Sequence, residues 1–326
     1  MLARRRFTSL LSVATLAAPS IARPHETYPA KSIRLIVPWP PGGGVDAFGR
    51  IVQAALSEQL GQTVLIDNIG GGSGRIGTQT AARAVGDSYT LLLANDTFAA
   101  TEALPIAGAT ALRGAFEPVT LAISGPQGLY THSKSGILSI EEYAAAARAQ
   151  PGKLNVGVPG IGSSQHLTSE LLLRASGNLR VTHVPYRGGG PLLNDLIAGN
   201  IDAAVVTFAA GAEQAKTGQL RPLAVTSARR TPSFPDVPAA GEKVAPGFTQ
   251  ETWMGFLAPK ATPLDVRERV HAAIVAVLKD EAVGARLRTL GLLPAGQPAP
   301  AFAQLFDNTV RVFADIATER QIAASD

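Results

Sequence analysis

Ile33-Arg34-Leu35-Ile36-Val37-Pro38-Trp39-Pro40-Pro41-Gly42-Gly43-Gly44-Val45-Asp46 is the stretch on which the reading of this chain turns. The apolar, β-branched run from Ile33 to Val37 reads as a short strand. Prolines and glycines stop it. From Val45 onward, Phe48, Val52, Ala55, Leu56 and Leu60 recur at helical spacing until Gly61 ends the run. The same succession of strand, glycine-rich turn and helix appears twice more, at Gly157-Val158-Pro159-Gly160-Ile161-Gly162-Ser163-Ser164 and at Tyr186-Arg187-Gly188-Gly189-Gly190-Pro191. In a parallel sheet such turns lie at the carboxyl ends of strands, where α/β proteins bind ligands. Glycine lets backbone approach a ligand, and the first amides of a helix have no intrahelical partner. Two such turns facing each other would hold a carboxylate mainly through backbone donors.

Working outward, strands are predicted over 33–37, 63–66, 89–93, 154–158, 180–184, 201–206, 223–226 and 252–257. Extended segments are predicted at 119–123 and 128–130. Helices are predicted over 45–60, 78–85, 140–149, 164–175, 192–198, 263–279 and 300–322. This alternation argues for an α/β fold built around mostly parallel sheets. The proline-rich stretch 231–248 is predicted to be irregular.

The chain has 326 residues, room for two ordinary domains, and only 17% of them are charged, which argues against disorder through self-repulsion. The formal charge is +4, but basic residues are never interleaved with aromatics as a nucleic-acid groove requires. Cysteine is absent, which removes disulfides, thiol nucleophiles, cysteine-based metal sites and lipidated cysteines. Arg4, Arg5 and Arg6 precede an uncharged stretch to Ala22, and Ser20-Ile21-Ala22 supplies a small-x-small cleavage pattern. Residues 1–22 therefore read as a secretory signal, and Arg4-Arg5-Arg6-Phe7 also fits the twin-arginine form. The expectation is an exported, periplasmic protein with no membrane span.

The run Tyr28-Pro29 through Asp46 closely resembles the first strand and loop of the tripartite tricarboxylate transporter receptors, the Bug family. Leu60-Gly61-Gln62-Thr63-Val64, Tyr89-Thr90-Leu91-Leu92, Pro151-Gly152-Lys153-Leu154-Asn155, Gly160-Ile161-Gly162-Ser163-Ser164-Gln165-His166-Leu167 and His183-Val184-Pro185-Tyr186-Arg187-Gly188 continue the similarity in order. The resemblance implies a two-lobed periplasmic binding protein-like fold of type II, each lobe a central sheet flanked by helices. Residues 28–125 with 251–326 would form lobe 1, and 126–250 lobe 2. It implies a receptor that passes a small organic carboxylate to membrane permease subunits, acting as a monomer without cofactor, metal or catalysis. Carried onto this chain, the family's ligand positions are Pro41, Gly43, Gly44 and Asp46 from one side and Gly162, Ser163, Ser164 and His166 from the other. Thr97 and Thr207 are further candidate ligand residues, and Trp39 and Phe98 either wall the cleft or belong to the core, with the wall favoured for Trp39 because it lies beside the glycine turn.

Three departures stand out. Asn68-Ile69-Gly70 replaces the family's Asn-Arg-Pro, and Ser73-Gly74-Arg75-Ile76-Gly77 replaces Gly-Gly-Asn-Ile-Gly, so Arg75 is either an added ligand cation or a surface charge. Thr207-Phe208 stands where an acid often follows the strand, which argues against an amino-acid ligand.

Other readings compete. Gly72-Ser73-Gly74-Arg75-Ile76-Gly77 spells a dinucleotide fingerprint, but five residues separate the preceding strand from its first glycine. Ser163, Ser164 and His166 suggest a hydrolase, yet no G-x-S-x-G elbow exists, and Ser164 reads as a helix cap. Asp46 in a first helical turn is favoured with or without a ligand. The five histidines show neither H-x-x-x-H nor H-E-x-x-H spacing, so no metal site is expected. The same α/β layers also admit a periplasmic enzyme, or a receptor reporting to a sensor kinase.

Overall fold

The computed structural model describes residues 28–104 and 111–323; the signal read at 1–22 lies outside the described residues. The first part of the chain runs β1 (Ile33–Val37), α1 (Gly44–Leu60), β2 (Val64–Asn68), α2 (Arg75–Ala82), β3 (Thr90–Asn95), α3 (Thr97–Ala103) and β4 (Phe116–His132). The middle holds α4 (Ile140–Ala149), β5 (Asn155–Val158), α5 (Ser164–Ala175), β6 (Thr182–Pro185), α6 (Gly189–Ala198), β7 (Ala203–Thr207), α7 (Phe208–Lys216), β8 (Leu220–Val225) and α8 (Ala240–Lys243). The last part is β9 (Glu251–Pro259), α9 (Leu264–Lys279), α10 (Glu281–Thr289), β10 (Leu293–Pro298) and α11 (Ala299–Glu319).

β4 organises everything else. Its first part, to Pro126, pairs with β9 and β10; from Gln127 it pairs with β7 and β8. One half-sheet is ordered β2-β1-β3-β9-β4 and the other continues β4-β7-β5-β6, giving a curled sheet in two lobes. Sequence patterning reads β4 as two separate extended segments, because Ser124-Gly125-Pro126 interrupts the apolar run. The structure carries the strand through this point, where Pro126 still pairs in register with Glu251.

The expectation of mostly parallel sheets is overturned. β1 runs parallel to β2 and β3, and β5 to β6 and β7, but β4 is antiparallel to all its partners and β9 is antiparallel to β3.

Alternation along β1 sets the packing. Ile33, Leu35 and Val37 share a buried cluster with Phe48, Val52 and Leu56 of α1, while Ile36 joins Leu92, Phe98, Trp253, Phe302 and Phe306 on the other side. Each fully buried aromatic of that second cluster is worth about 1.5–3 kcal/mol of apolar transfer. α11 reaches both lobes: its Phe302 and Phe306 lie in this cluster, whereas Phe313 and Ile316 pack with Leu167 and Leu171 of α5. Arg174–Glu319 at 2.6 Å and Arg320–Glu170 at 3.3 Å clasp the same end.

α3, α7, α8, α10 and β10 are absent from the sequence reading, α8 as one short helical turn inside the stretch 231–248 expected to be irregular, and α2 starts three residues earlier than expected. The first five residues of α3 are buried, so no polar face marks a period. β10 contains two prolines and a glycine and pairs across a bulge, a composition that argues against a strand in sequence. Among the described residues no helix is long and apolar enough to cross a membrane.

Candidate functional site

The three glycine-rich turns converge where the lobes meet. The turn after β1 leads into α1, the turn after β5 into α5, and the turn after β6 into α6. A hollow of about 30 Å³ is bordered by Trp39, Gly43, Gly44 and Asn95 on one side and by Pro159, Gln165, Gly189 and Thr207 on the other. That is room for about one water molecule. A second hollow of about 240 Å³ shares Trp39 and Pro159 with it and extends to Gly72, Ser73, Tyr186 and Arg187.

The lobes touch through residues that lack side chains. A Cβ on Gly44 would lie 2.3 Å from Oγ1 of Thr207, and one on Gly188 would lie 2.8 Å from Pro40. Only glycine allows backbone this close to the opposite face. Ser73 donates its hydroxyl hydrogen to the carbonyl of Ile161 at 3.0 Å, a bond between the turns after β2 and β5.

The turn into α1 is shaped from behind. Asp46 is buried, and its carboxylate accepts from the amide of Gly42 (3.0 Å), from Arg50 (3.0 Å) and from Asn68 (3.0 Å). Burial alone would raise this carboxyl, but the bonds from Arg50, Gly42 and Asn68 outweigh it and hold the group below its ordinary range. Asp46 therefore fixes the turn and does not border either hollow. The amides of Gly44 and Val45 have no carbonyl within the helix to bond and belong to residues bordering the smaller hollow.

The turn into α5 is different: its donors are already engaged. Gly162 donates its amide to Nδ1 of His166 (3.1 Å), Ser163 to the carbonyl of Gly160 (3.2 Å), and Ser164 to Oγ1 of Thr97 (3.2 Å). The Ser163 hydroxyl caps α5 by accepting from the amide of His166 (3.2 Å). The Ser164 hydroxyl donates to Asp96 at 2.8 Å. Thus Ser163, Ser164 and His166 are tied to one another and to the neighbouring lobe, with neither hydroxyl bonded to the imidazole, so no nucleophile–base pair of a hydrolase forms.

Of the residues expected to hold a ligand, Trp39, Gly43, Gly44 and Thr207 border the smaller hollow. Thr97 bonds Ser164; Phe98 packs edge-on against Phe116 and Phe306 in the core, so it is placed as a packing residue and not as a wall. Pro41, Gly162, Ser163, Ser164 and His166 border neither hollow, and Arg75, which opens α2, does not either. Sequence reasoning missed Asn95, Gln165 and Gly189. Gln165 is 3% exposed, its Oε1 has no bond within the protein, and it borders the smaller hollow. Its place inside the turn motif beside Ser164 was the available signal.

One histidine cluster also escaped the spacing argument. Ligand-type atoms of His166, Glu170 and His183 lie within 4.8 Å of one another, because β6 brings His183 beside α5, and the two imidazoles stack edge-on at 4.5 Å. One nitrogen of each ring is bonded within the protein, His166 Nδ1 accepting the Gly162 amide and His183 Nε2 bonding Ser169 (2.9 Å), while Glu170 lies between His183 Nδ1 (3.4 Å) and Arg320 (3.3 Å). Burial pulls His166 down to about 4; burial and then the charge of His166 pull His183 down to about 3.

Comparison with known proteins places this geometry. The model of the tripartite tricarboxylate transporter family receptor matches residues 48–322. The chain belongs to that family. A Pseudomonas protein from a tcbD-tcbE intergenic region is 35% identical over 325 residues, covering 99% of this chain and 96% of that one. The solved periplasmic binding protein BugD superposes with a TM-score of 0.85 at 28% identity, covering 91% and 99%. An R. palustris protein solved with adipate gives 0.85 at 29% identity with the same coverage. A solute-binding receptor with two lobes is what this chain's family and neighbours support.

Proposed function

We propose that this receptor is periplasmic, exported by its N-terminal signal, and that it closes on a small organic carboxylate and hands it unchanged to permease subunits. The single observation that carries the reading is the apposition of the first turns of α1 and α6, which border one hollow with unpaired helix-end amides near Gly44 and Gly189. The adipate bound by the R. palustris neighbour supports the ligand class. The smaller hollow is too tight for a whole dicarboxylate, so the lobes must part to admit one. One carboxylate would sit against the helix ends, and the carbon chain would run past Trp39 and Pro159 toward the larger hollow. Arg187 borders that larger hollow and would meet a second carboxylate. The lobe boundaries fit this motion where β4 changes partners between Pro126 and Gln127, and where β9 begins at Glu251.

Thermal-shift measurement over a panel of four- to eight-carbon mono- and dicarboxylates tests the reading. The expected result is a raised melting temperature with dicarboxylates, recovery of the same molecule by mass spectrometry, and loss of the preference for a second carboxylate in Arg187→Gln. A converted product, or no response to any carboxylate, would contradict it.

A further inference from the structure

We infer that Asp96, Thr97 and Ser164 form a buried latch across the lobe interface, and that these positioning residues hold the closed arrangement without touching the solute. Asp96 follows β3 in one half-sheet and is 0% exposed; Ser164 opens α5 in the other. The Asp96 carboxylate accepts the Ser164 hydroxyl at 2.8 Å, the Thr252 hydroxyl at 2.9 Å and the Gln127 amide at 3.3 Å. Its donors therefore come from the far lobe, from its own lobe at the start of β9, and from the strand shared by both.

With Asp96 ionised, the direction of every hydrogen in the network can be assigned. Thr97 Oγ1 already accepts from the Ser164 amide (3.2 Å) and from Asn95 Nδ2 (3.3 Å), so its own hydrogen goes to Ser164 Oγ at 3.0 Å. Ser164 must then donate to Asp96. Upstream, Trp39 donates its indole hydrogen to Asn95 Oδ1 at 3.1 Å. A continuous chain thus leads from Trp39 and Asn95, which border the smaller hollow, through Thr97 and across the interface to the carboxylate. Parting the lobes removes Ser164 from both Asp96 and Thr97 at once. When Asp96 is ionised its charge roughly doubles the strength of the bond from Ser164, and the buried setting excludes competing water at any pH. The latch rests on the receptor reading only in that closure is the event it serves.

Because the chain has no cysteine, Gln59→Cys and Lys153→Cys place spin labels at exposed positions on opposite lobes, and pulsed dipolar spectroscopy reads their separation. The measurement is made with no solute added, so it stands whether or not a carboxylate is found. Ser164→Ala and Asp96→Ala should each raise the open-to-closed ratio about tenfold, the effect of one charge-assisted bond. The double variant should go no further than the larger single effect. Asp96→Asn, which keeps an acceptor oxygen for Ser164, should recover most of the closed population; if Asp96→Ala does not fold, Asp96→Asn and Ser164→Ala carry the comparison. An unchanged distribution in folded Ser164→Ala, or single effects that multiply in the double variant, would overturn the latch.

Discussion

The turns that lead into α1 and α5 look alike in sequence, each a strand end followed by proline, glycines and a helix, yet they differ in what their amides do. At α1 the bonding is concentrated behind the turn, on Asp46, and the first helical amides are left open beside the hollow. At α5 the amides of Gly162, Ser163, Ser164 and His166 each have an acceptor within the protein. A glycine turn at a helix start is therefore a donor site only when its surroundings leave the donors free. We read α1 as the solute face and α5 as the closing face.

The sharpest way to break this contrast is Gly44→Val. The backbone of Gly44 is outside the left-handed region, so valine suits the turn itself, but the added atoms meet Thr207, whose Oγ1, Cβ and Cγ2 would lie 2.3, 3.0 and 3.5 Å from the new Cβ. Overpacking of this kind costs about 1–3 kcal/mol. We expect carboxylate affinity to fall about a hundredfold by titration calorimetry, at the upper end of that range, with a much smaller change in the melting temperature measured without solute. Gly44→Ala combined with Thr207→Gly should recover most of the affinity, because all three of those neighbouring atoms belong to Thr207. Equal binding by folded Gly44→Val would remove α1 from the site.

How far such distinctions were legible follows from the residues. The strand–turn–helix units at Ile33, Gly157 and Tyr186 were readable, because period-two and helical spacing on either side of glycines leave few alternatives. Trp39, Gly43, Gly44 and Thr207, which border the smaller hollow, were named from the sequence, the glycines because their neighbours mark a close approach. Asn95, Gln165 and Gly189 were not, since nothing in a one-dimensional pattern says which lobe will face them. The antiparallel direction of β4 and β9 and the continuity of β4 were missed for a related reason: Gly125-Pro126 looks like a break unless the partner Glu251, far away in the chain, is known to complete the ladder. The pairing of His166 with His183 needed the parallel register of β5 and β6.

Titration separates the α1 and α5 sides next. His166 and His183 have folded values of about 4 and about 3 against an ordinary 6.5, so the unfolded chain binds more protons in between. Their contribution is full above pH 6.5 and is lost as pH falls toward 4, at a slope of about 1.4 kcal/mol per pH unit for each proton. Asp96 acts oppositely. Burial, partly offset by Ser164, Thr252 and Gln127, pushes it up to about 7, so the folded state binds the extra proton and stability falls as pH rises from 4 to 7. Asp46, held below the ordinary carboxylate range, titrates outside this window. Denaturant melts from pH 4 to 8 should show the acid-side rise flattened in His183→Gln and the opposing fall removed in Asp96→Asn. An Asp46→Asn difference curve that bends between pH 5 and 7 would contradict the assignment of this window to His166, His183 and Asp96.

The finest distinction lies at Gln165, the one α5 residue that joins the α1 face around the smaller hollow. Its buried Oε1 has no bond, and an unmatched acceptor costs about 1–3 kcal/mol of desolvation. Methionine has a similar length and no such requirement. Gln165→Met should therefore raise stability in the absence of solute by about 1 kcal/mol, the lower end of that cost, while weakening carboxylate binding severalfold, because the amide is kept for a partner that arrives from outside. Stability and affinity moving in opposite directions is the signature of a binding group. If both fall together, Gln165 is a packing residue whose amide bonds within the protein, and the solute face is confined to the amides of α1 and α6.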